Sequence, residues 1–125
     1  MRIKKSTLKQ YHLRNRKVER DREGVSVESF GEAHPLTMQV WPAGGKVQTE
    51  QYGDRMNYIF NCRVEGKYTP VVDKDGLVYQ FEGFGLREKD GICLYASPDS
   101  LPDYRIIAIK SYKPLYMEVE RIVHW

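Results

Sequence analysis

Apolar and polar residues alternate at every second position through most of this chain. Leu36, Met38 and Val40 fall on one face of an extended segment, with Thr37, Gln39 and Trp41 on the other. Tyr58, Phe60, Cys62 and Val64 repeat the pattern opposite Asn57, Ile59, Asn61 and Arg63. Leu115, Met117 and Val119 repeat it opposite Tyr116, Glu118 and Glu120. A period of two is that of a half-buried strand. Tyr104–Lys110 is apolar on both faces and reads as a central strand, joined to the last one by a hairpin at Ser111-Tyr112-Lys113-Pro114. Ile92, Leu94 and Ala96 form a shorter set between Asp90-Gly91 and Pro98. A helix fits only one place. Pro42-Ala43-Gly44-Gly45 ends a strand, Val47–Tyr52 then lacks Pro and Gly over one or two turns, and Gly53 suits a left-handed helix end. The chain is therefore expected to be all-β and mainly antiparallel, with one short helix near Val47–Tyr52.

At 125 residues, of which 41% are hydrophobic and 30% charged, it fits a single domain, 1–125, whose strands keep a wet face. It shows no apolar run of membrane-spanning length and no signal peptide, so ordinary export is not expected. Cys62 and Cys93 share no CxxC spacing and read as free buried thiols.

The net charge of +3 is unevenly spread. Residues 1–22 hold nine Lys and Arg against Glu19 and Asp21, while the rest carries 11 basic and 15 acidic side chains. Lys9, Arg14, Arg16 and Lys17 are the candidate contacts of this basic arm, for a nucleic-acid backbone or an acidic protein surface. The plainer reading of Leu8–Arg20 is a charged edge strand, with cations that discourage edge-to-edge pairing. Residues 1–7 read as a flexible arm. Asp21-Arg22-Glu23-Gly24 forms a turn, Val25, Val27 and Phe30 a short partner strand, and Gly31–Pro35 a break.

Residues 65–90 stand apart, with four glycines and the aromatics Tyr68, Tyr79, Phe81 and Phe84 between two core strands. Val71–Tyr79 reads as a hairpin turning at Asp75-Gly76. So long a connection is usually functional or disordered, and its aromatics argue for order. A protruding flap is expected, with Lys67, Tyr68, Asp73, Lys74, Asp75, Tyr79, Phe81 and Phe84 as candidate contacts.

Catalytic patterns are missing. His12, His34 and His124 lie in separate segments, and no G-x-S-x-G, H-E-x-x-H or Walker motif occurs. Asp90, Asp99 and Asp103 could converge at one end of a sheet, but each also has an ordinary turn-forming role. Asp73-Lys74-Asp75-Gly76 lacks the later acidic ligand of a calcium loop and reads as a turn. Neither enzymatic activity nor a cofactor or metal is expected. A nucleic-acid-binding small β-barrel is the alternative, with Tyr11, Arg14 and Arg16 presented on the first strand.

Taken in order, W-P-A-G-G-K-V-Q-T-E-Q-Y-G-D-R, M-N-Y-I-F-N, E-K-D-G-I-C-L-Y (Glu88–Tyr95), P-D-Y-R-I-I-A-I-K (Pro102–Lys110) and M-E-V-E-R-I resemble the small head-tail connector proteins of long-tailed phages and prophages of Gram-positive bacteria. The similarity covers roughly residues 8–123 and is to the head-completion, or stopper, group. It implies a compact β-barrel that assembles as a ring under the portal and adaptor, closes the DNA exit channel after packaging and docks the tail. It implies partners in the portal-adaptor ring, tail proteins, further copies and packaged DNA, without membrane or small-molecule substrate. The implied location is the virion neck, reached from the host cytoplasm. A long loop projects into the channel in such proteins, and residues 65–90 are the candidate here.

Overall fold

A computed structural model describes residues 8–122; the arm expected over residues 1–7, and His124, lie outside them. The elements are β1 (Lys9–Arg20), β2 (Ser26–Pro42), α1 (Lys46–Tyr52) with a 3-10 turn at Gly53–Tyr58, β3 (Ile59–Val64), β4 (Thr69–Asp73), β5 (Gly76–Phe81), β6 (Phe84–Leu86), β7 (Gly91–Cys93), β8 (Tyr104–Lys110) and β9 (Leu115–Arg121). Six antiparallel strands close a barrel in the order β1-β2-β3-β9-β8-β7, and β4-β5-β6 form a separate sheet. The inward alternation is the one the sequence sets: Leu36 and Met38 on β2, Cys62 and Val64 on β3, and Leu115, Met117 and Val119 on β9 are all buried together with Leu13, Ile92 and Ile106.

Several boundaries differ from the sequence expectation. β1 is not an edge strand, because His12–Arg14 pair with β7, from His12↔Cys93 to Arg14↔Gly91, and so close the barrel. The three-residue strand that closes it has too short an apolar run to announce that partner. Gly31–Pro35 is not a break: β2 runs straight through it, with Pro35 opposite His12. β3 pairs with β2 only from Met38 onward, so Pro35 has a strand neighbour on one side alone, where a missing N–H is tolerated. The register shifts between Arg14↔Ala33 and Arg16↔Phe30, placing Gly31 and Glu32 opposite the single residue Asn15. Such a bulge bends the strands. Beyond it, Arg16–Arg20 and Ser26–Phe30 leave the wall as a two-stranded ribbon that is exposed along most of its length. Ile59, assigned by alternation to the wet face, is buried, while Tyr58 is half exposed at the end of the 3-10 turn.

The flap is also folded more closely than expected. Residues 69–86 form a three-stranded sheet in which Tyr79, Phe81 and Leu86 join the barrel core and Tyr68 and Phe84 pack against it. Phe81 stacks on Phe84 with centroids 5.1 Å apart, and Phe84 on His34 at 6.4 Å. The hairpin turns at Lys74-Asp75, one position before the expected site, because Gly76 is already paired with Asp73. The Asp75 amide donates to Asp73 Oδ1 at 2.8 Å, which fixes the turn.

Candidate assembly surfaces

Asn15, singled out by the bulge, anchors the flap to the barrel. Its side-chain amide donates to the Gly85 carbonyl at 2.7 Å and to Asp90 Oδ2 at 2.9 Å. Asp90 is only 1% exposed and also accepts the Arg16 amide at 2.8 Å and the Arg87 amide at 3.0 Å. Burial raises its carboxyl above the ordinary aspartate range against the pull of those three donors. Asp90 is thus a structural knot at the root of the flap. Asp103 has a similar task, accepting the amides of Leu94, Tyr95 and Ala96, whereas Asp99 lies exposed in the same loop. Asp90 and Asp103 hold separate turns, and the Asp99 carboxylate is not drawn into either.

The basic candidates divide in two. Arg14 spends its guanidinium on the carbonyls of Gly31, Phe30 and Ser100 at 2.7, 3.0 and 2.6 Å. Arg16 pairs with Glu28, which Arg105 also binds at 2.6 Å. Lys9 and Lys17 remain exposed. The structure brings Arg16 and Lys17 together with Asp73, Asp75 and Tyr79 around a groove of about 820 Å³ between the ribbon and the flap. Arg87, also in its lining, pairs with Asp73 at 2.6 Å, and that guanidinium holds the Asp73 carboxyl below the ordinary range. Tyr79 and Phe81 are committed to the chain's own core. Lys67, Asp73, Lys74 and Asp75 stay on the surface, with Tyr68 and Phe84 between these extremes. The Tyr68 hydroxyl donates to the Tyr112 carbonyl at 2.6 Å.

Six exposed large apolar side chains lie on the two arms beside this groove, while Val47, Tyr58, Tyr95, Leu101 and Tyr112 are exposed elsewhere. Val18, Val25 and Val27 lie on the ribbon, and Val71, Val72 (77% exposed) and Leu77 on the flap.

A second site escaped the sequence reading. Trp41, Asn61 and Glu118 lie in register across β2, β3 and β9, with Arg63 opposite Tyr116 in the next row. Trp41, Asn61, Tyr116 and Glu118 line a pocket of about 260 Å³ together with Gln48, Lys110 and Tyr112. Gln48 Nε2 donates to Asn61 Oδ1 at 2.6 Å and to Glu118 Oε2 at 2.8 Å. The Trp41 ring meets Tyr116 edge-on at 6.1 Å, Tyr112 does so at 5.8 Å, and the Arg63 guanidinium lies 4.6 Å from the Tyr116 centroid. Burial, together with the charge of Glu118 and a hydrogen bond to it, pushes the Tyr52 phenol up to about 12. Only the cross-strand register assembles this pocket, and single-strand alternation carries no sign of it.

The register also sets His12 opposite Cys93. Burial, then the Asp103 charge, pushes that thiol up, away from the thiolate a nucleophile needs. Cys62 is pushed up by burial alone, and neither cysteine is bonded. Among the described residues, no three His, Cys, Asp or Glu side chains cluster as metal ligands, and no helix is long and apolar enough to cross a membrane. Compared with known family models, curated proteins and solved structures, the chain matches none.

Proposed function

We propose that this chain is a structural, non-enzymatic neck protein of a long-tailed phage. It assembles as a ring between the portal-adaptor complex and the tail, helps close the DNA exit channel after packaging and offers a tail docking surface. The observation that carries this reading is the exposed apolar set on two projecting arms of an otherwise closed barrel. Apolar side chains grouped on projecting arms mark contact surfaces with other proteins. The ordered resemblance from Trp41 to the last strand supports the identity of those proteins. The alternative, a nucleic-acid-binding barrel, is disfavoured because Arg14 and Arg16 are occupied within the chain.

The test is a flap-tip variant. Val72 and Leu77 are cross-strand partners and both exposed, so Val72→Lys with Leu77→Glu replaces an apolar pair by an ion pair on the surface. The variant is expected to fold normally, to lose binding to a portal-adaptor complex and to yield particles that leak DNA. Normal binding and DNA retention would remove the flap from the proposal. Oligonucleotide affinity falling steeply between about 50 and 200 mM salt would favour the alternative.

A further inference from the structure

We infer that copies of this chain join through a heterologous contact, in which the ribbon tip bearing Arg20 and Arg22 seats in the aromatic pocket over Glu118 of the next copy. The inference rests on the ring reading above and names its subunit contact. Three observations carry it.

The first is chemical. The Glu118 side chain is 5% exposed. Its Oε2 accepts from Gln48 and the Tyr52 phenol also bonds to the carboxylate, while Lys110 Nζ stays 4.0 Å from Oε1, beyond hydrogen-bonding distance. Trp41, Tyr112 and Tyr116 wall the pocket above it. Arg63 already lies over the Tyr116 ring, which shows the kind of group these rings hold. A carboxylate under aromatic walls suits an incoming guanidinium, which can hydrogen-bond below and stack at its sides.

The second concerns the ribbon. Among the described residues, Arg16–Arg20 and Ser26–Phe30 have no strand partner but each other, and a two-stranded ribbon exposed along most of its length is marginal without a further partner. Its turn is fixed from within, since Asp21 Oδ1 accepts the amides of Glu23 and Val25, both at 2.9 Å. That leaves Arg20 and Arg22 exposed at the tip of a preformed arm.

The third is topological. In the closed order β1-β2-β3-β9-β8-β7, β9 lies three strands from β1 in either direction. The arm that extends β1 and the pocket on β9 therefore belong to opposite sides of one barrel. Two different patches so placed make a heterologous contact, which closes a ring when the rotation between copies closes, whereas a two-fold pair would require one self-complementary patch.

The contact is tested by cysteine trapping in the full chain, whose own two cysteines are buried. Glu23→Cys and Ser111→Cys replace exposed side chains next to Arg22 and Tyr112 and leave those contact groups in place. Under mild oxidation at the highest soluble concentration, the double variant is expected to give a ladder of three or more linked copies. A mixture of the two single variants should stop at linked pairs, and adding Glu118→Gln to the double variant should slow linking by more than about tenfold. Absence of a ladder, or single variants that link as fast as the double, would overturn the contact. If the double variant still forms rings on a portal-adaptor complex with no disulfide between the two introduced thiols, this contact fails and the ring reading stands. If the wild-type chain neither binds that complex nor self-associates, the ring reading itself fails and this contact with it.

Discussion

Three donors converge on the Asp90 carboxylate: the Arg16 and Arg87 amides and the Asn15 side chain. Removing the acceptor leaves all three without their shared partner at the root of the flap, where Asp90 itself is only 1% exposed. Asp90→Ala is expected to cost about 2–4 kcal/mol, read as a lower urea midpoint with unchanged slope. Asp90→Asn should also destabilise, since its amide would point a donor at donors. Both variants alter the pH dependence in a defined direction. Burial raises the Asp90 carboxyl, so the folded chain keeps this proton at pH values where the unfolded chain has lost it. The favourable linkage is complete below the ordinary aspartate value near about 4 and declines as pH rises through the raised one. Asp73 behaves oppositely: its bond to Arg87 lowers it, so its contribution is present above the ordinary range and lost as pH falls through the lowered value. The stability gap between wild type and Asp90→Ala should therefore widen as pH falls from neutral toward 4, excluding any part that comes from Asp73 in both chains. A constant gap across that range would show that Asp90 keeps its proton equilibrium unchanged on folding.

At the scale of elements, barrel closure depends on how near β7 can approach its surroundings. A Cβ built on Gly91 would lie 2.3 Å from Pro102 Cγ and 3.1 Å from Phe30 Cδ1, so Gly91→Ala must displace a proline ring. An overpacked strand of this kind costs about 1–3 kcal/mol. Gly45, before α1, has φ +87° and ψ +164°, a region open essentially to glycine alone, and open space around its Cβ, so Gly45→Val meets backbone strain alone, about 1–3 kcal/mol. Hydrogen exchange separates them: Gly91→Ala alone is expected to raise the exchange rate of the β1–β7 amides. The two sites mark what was legible in the sequence. β8 and β9, and the inward faces of β2 and β3, could be read because alternation is local. The corner before α1 could be read because Pro42 and the paired glycines act on their own backbone. β7 is too short to advertise its partner β1, and Pro35 concealed a strand that continues where only one neighbour is present. Rings that looked like contacts, Tyr79 and Phe81, were drawn inward because the flap sheet supplies part of the core. The Glu118 pocket depends on register across four strands, and no segment taken alone encodes it.

For the whole molecule, the flap has two ends with different duties, and they can be separated experimentally. Its root carries Asp90 and Asn15, and its inner rings sit in the common core: Phe81 is 5% exposed and stacks on Phe84. Its tip, at Val71, Val72 and Lys74, is exposed and touches none of that core. Deleting residues 67–84 would remove both duties at once and take Tyr79 and Phe81 out of the barrel, so loss of assembly in such a deletion could come from unfolding. Point changes avoid the ambiguity. Phe81→Ala should lose about 3–5 kcal/mol, a large share of the roughly 5–15 kcal/mol that holds a domain of this size together. Val72→Ser should change stability by less than about 0.5 kcal/mol, because its side chain is already in water. If the tip exists for contact, stability and assembly will respond to different residues. Phe81→Ala should lower the unfolding midpoint and recover assembly on cooling, while Val72→Ser should leave the midpoint in place and weaken assembly at every temperature. Equal midpoint losses in the two variants would mean that the tip is part of the fold's own support, and that the working surface lies elsewhere on the barrel.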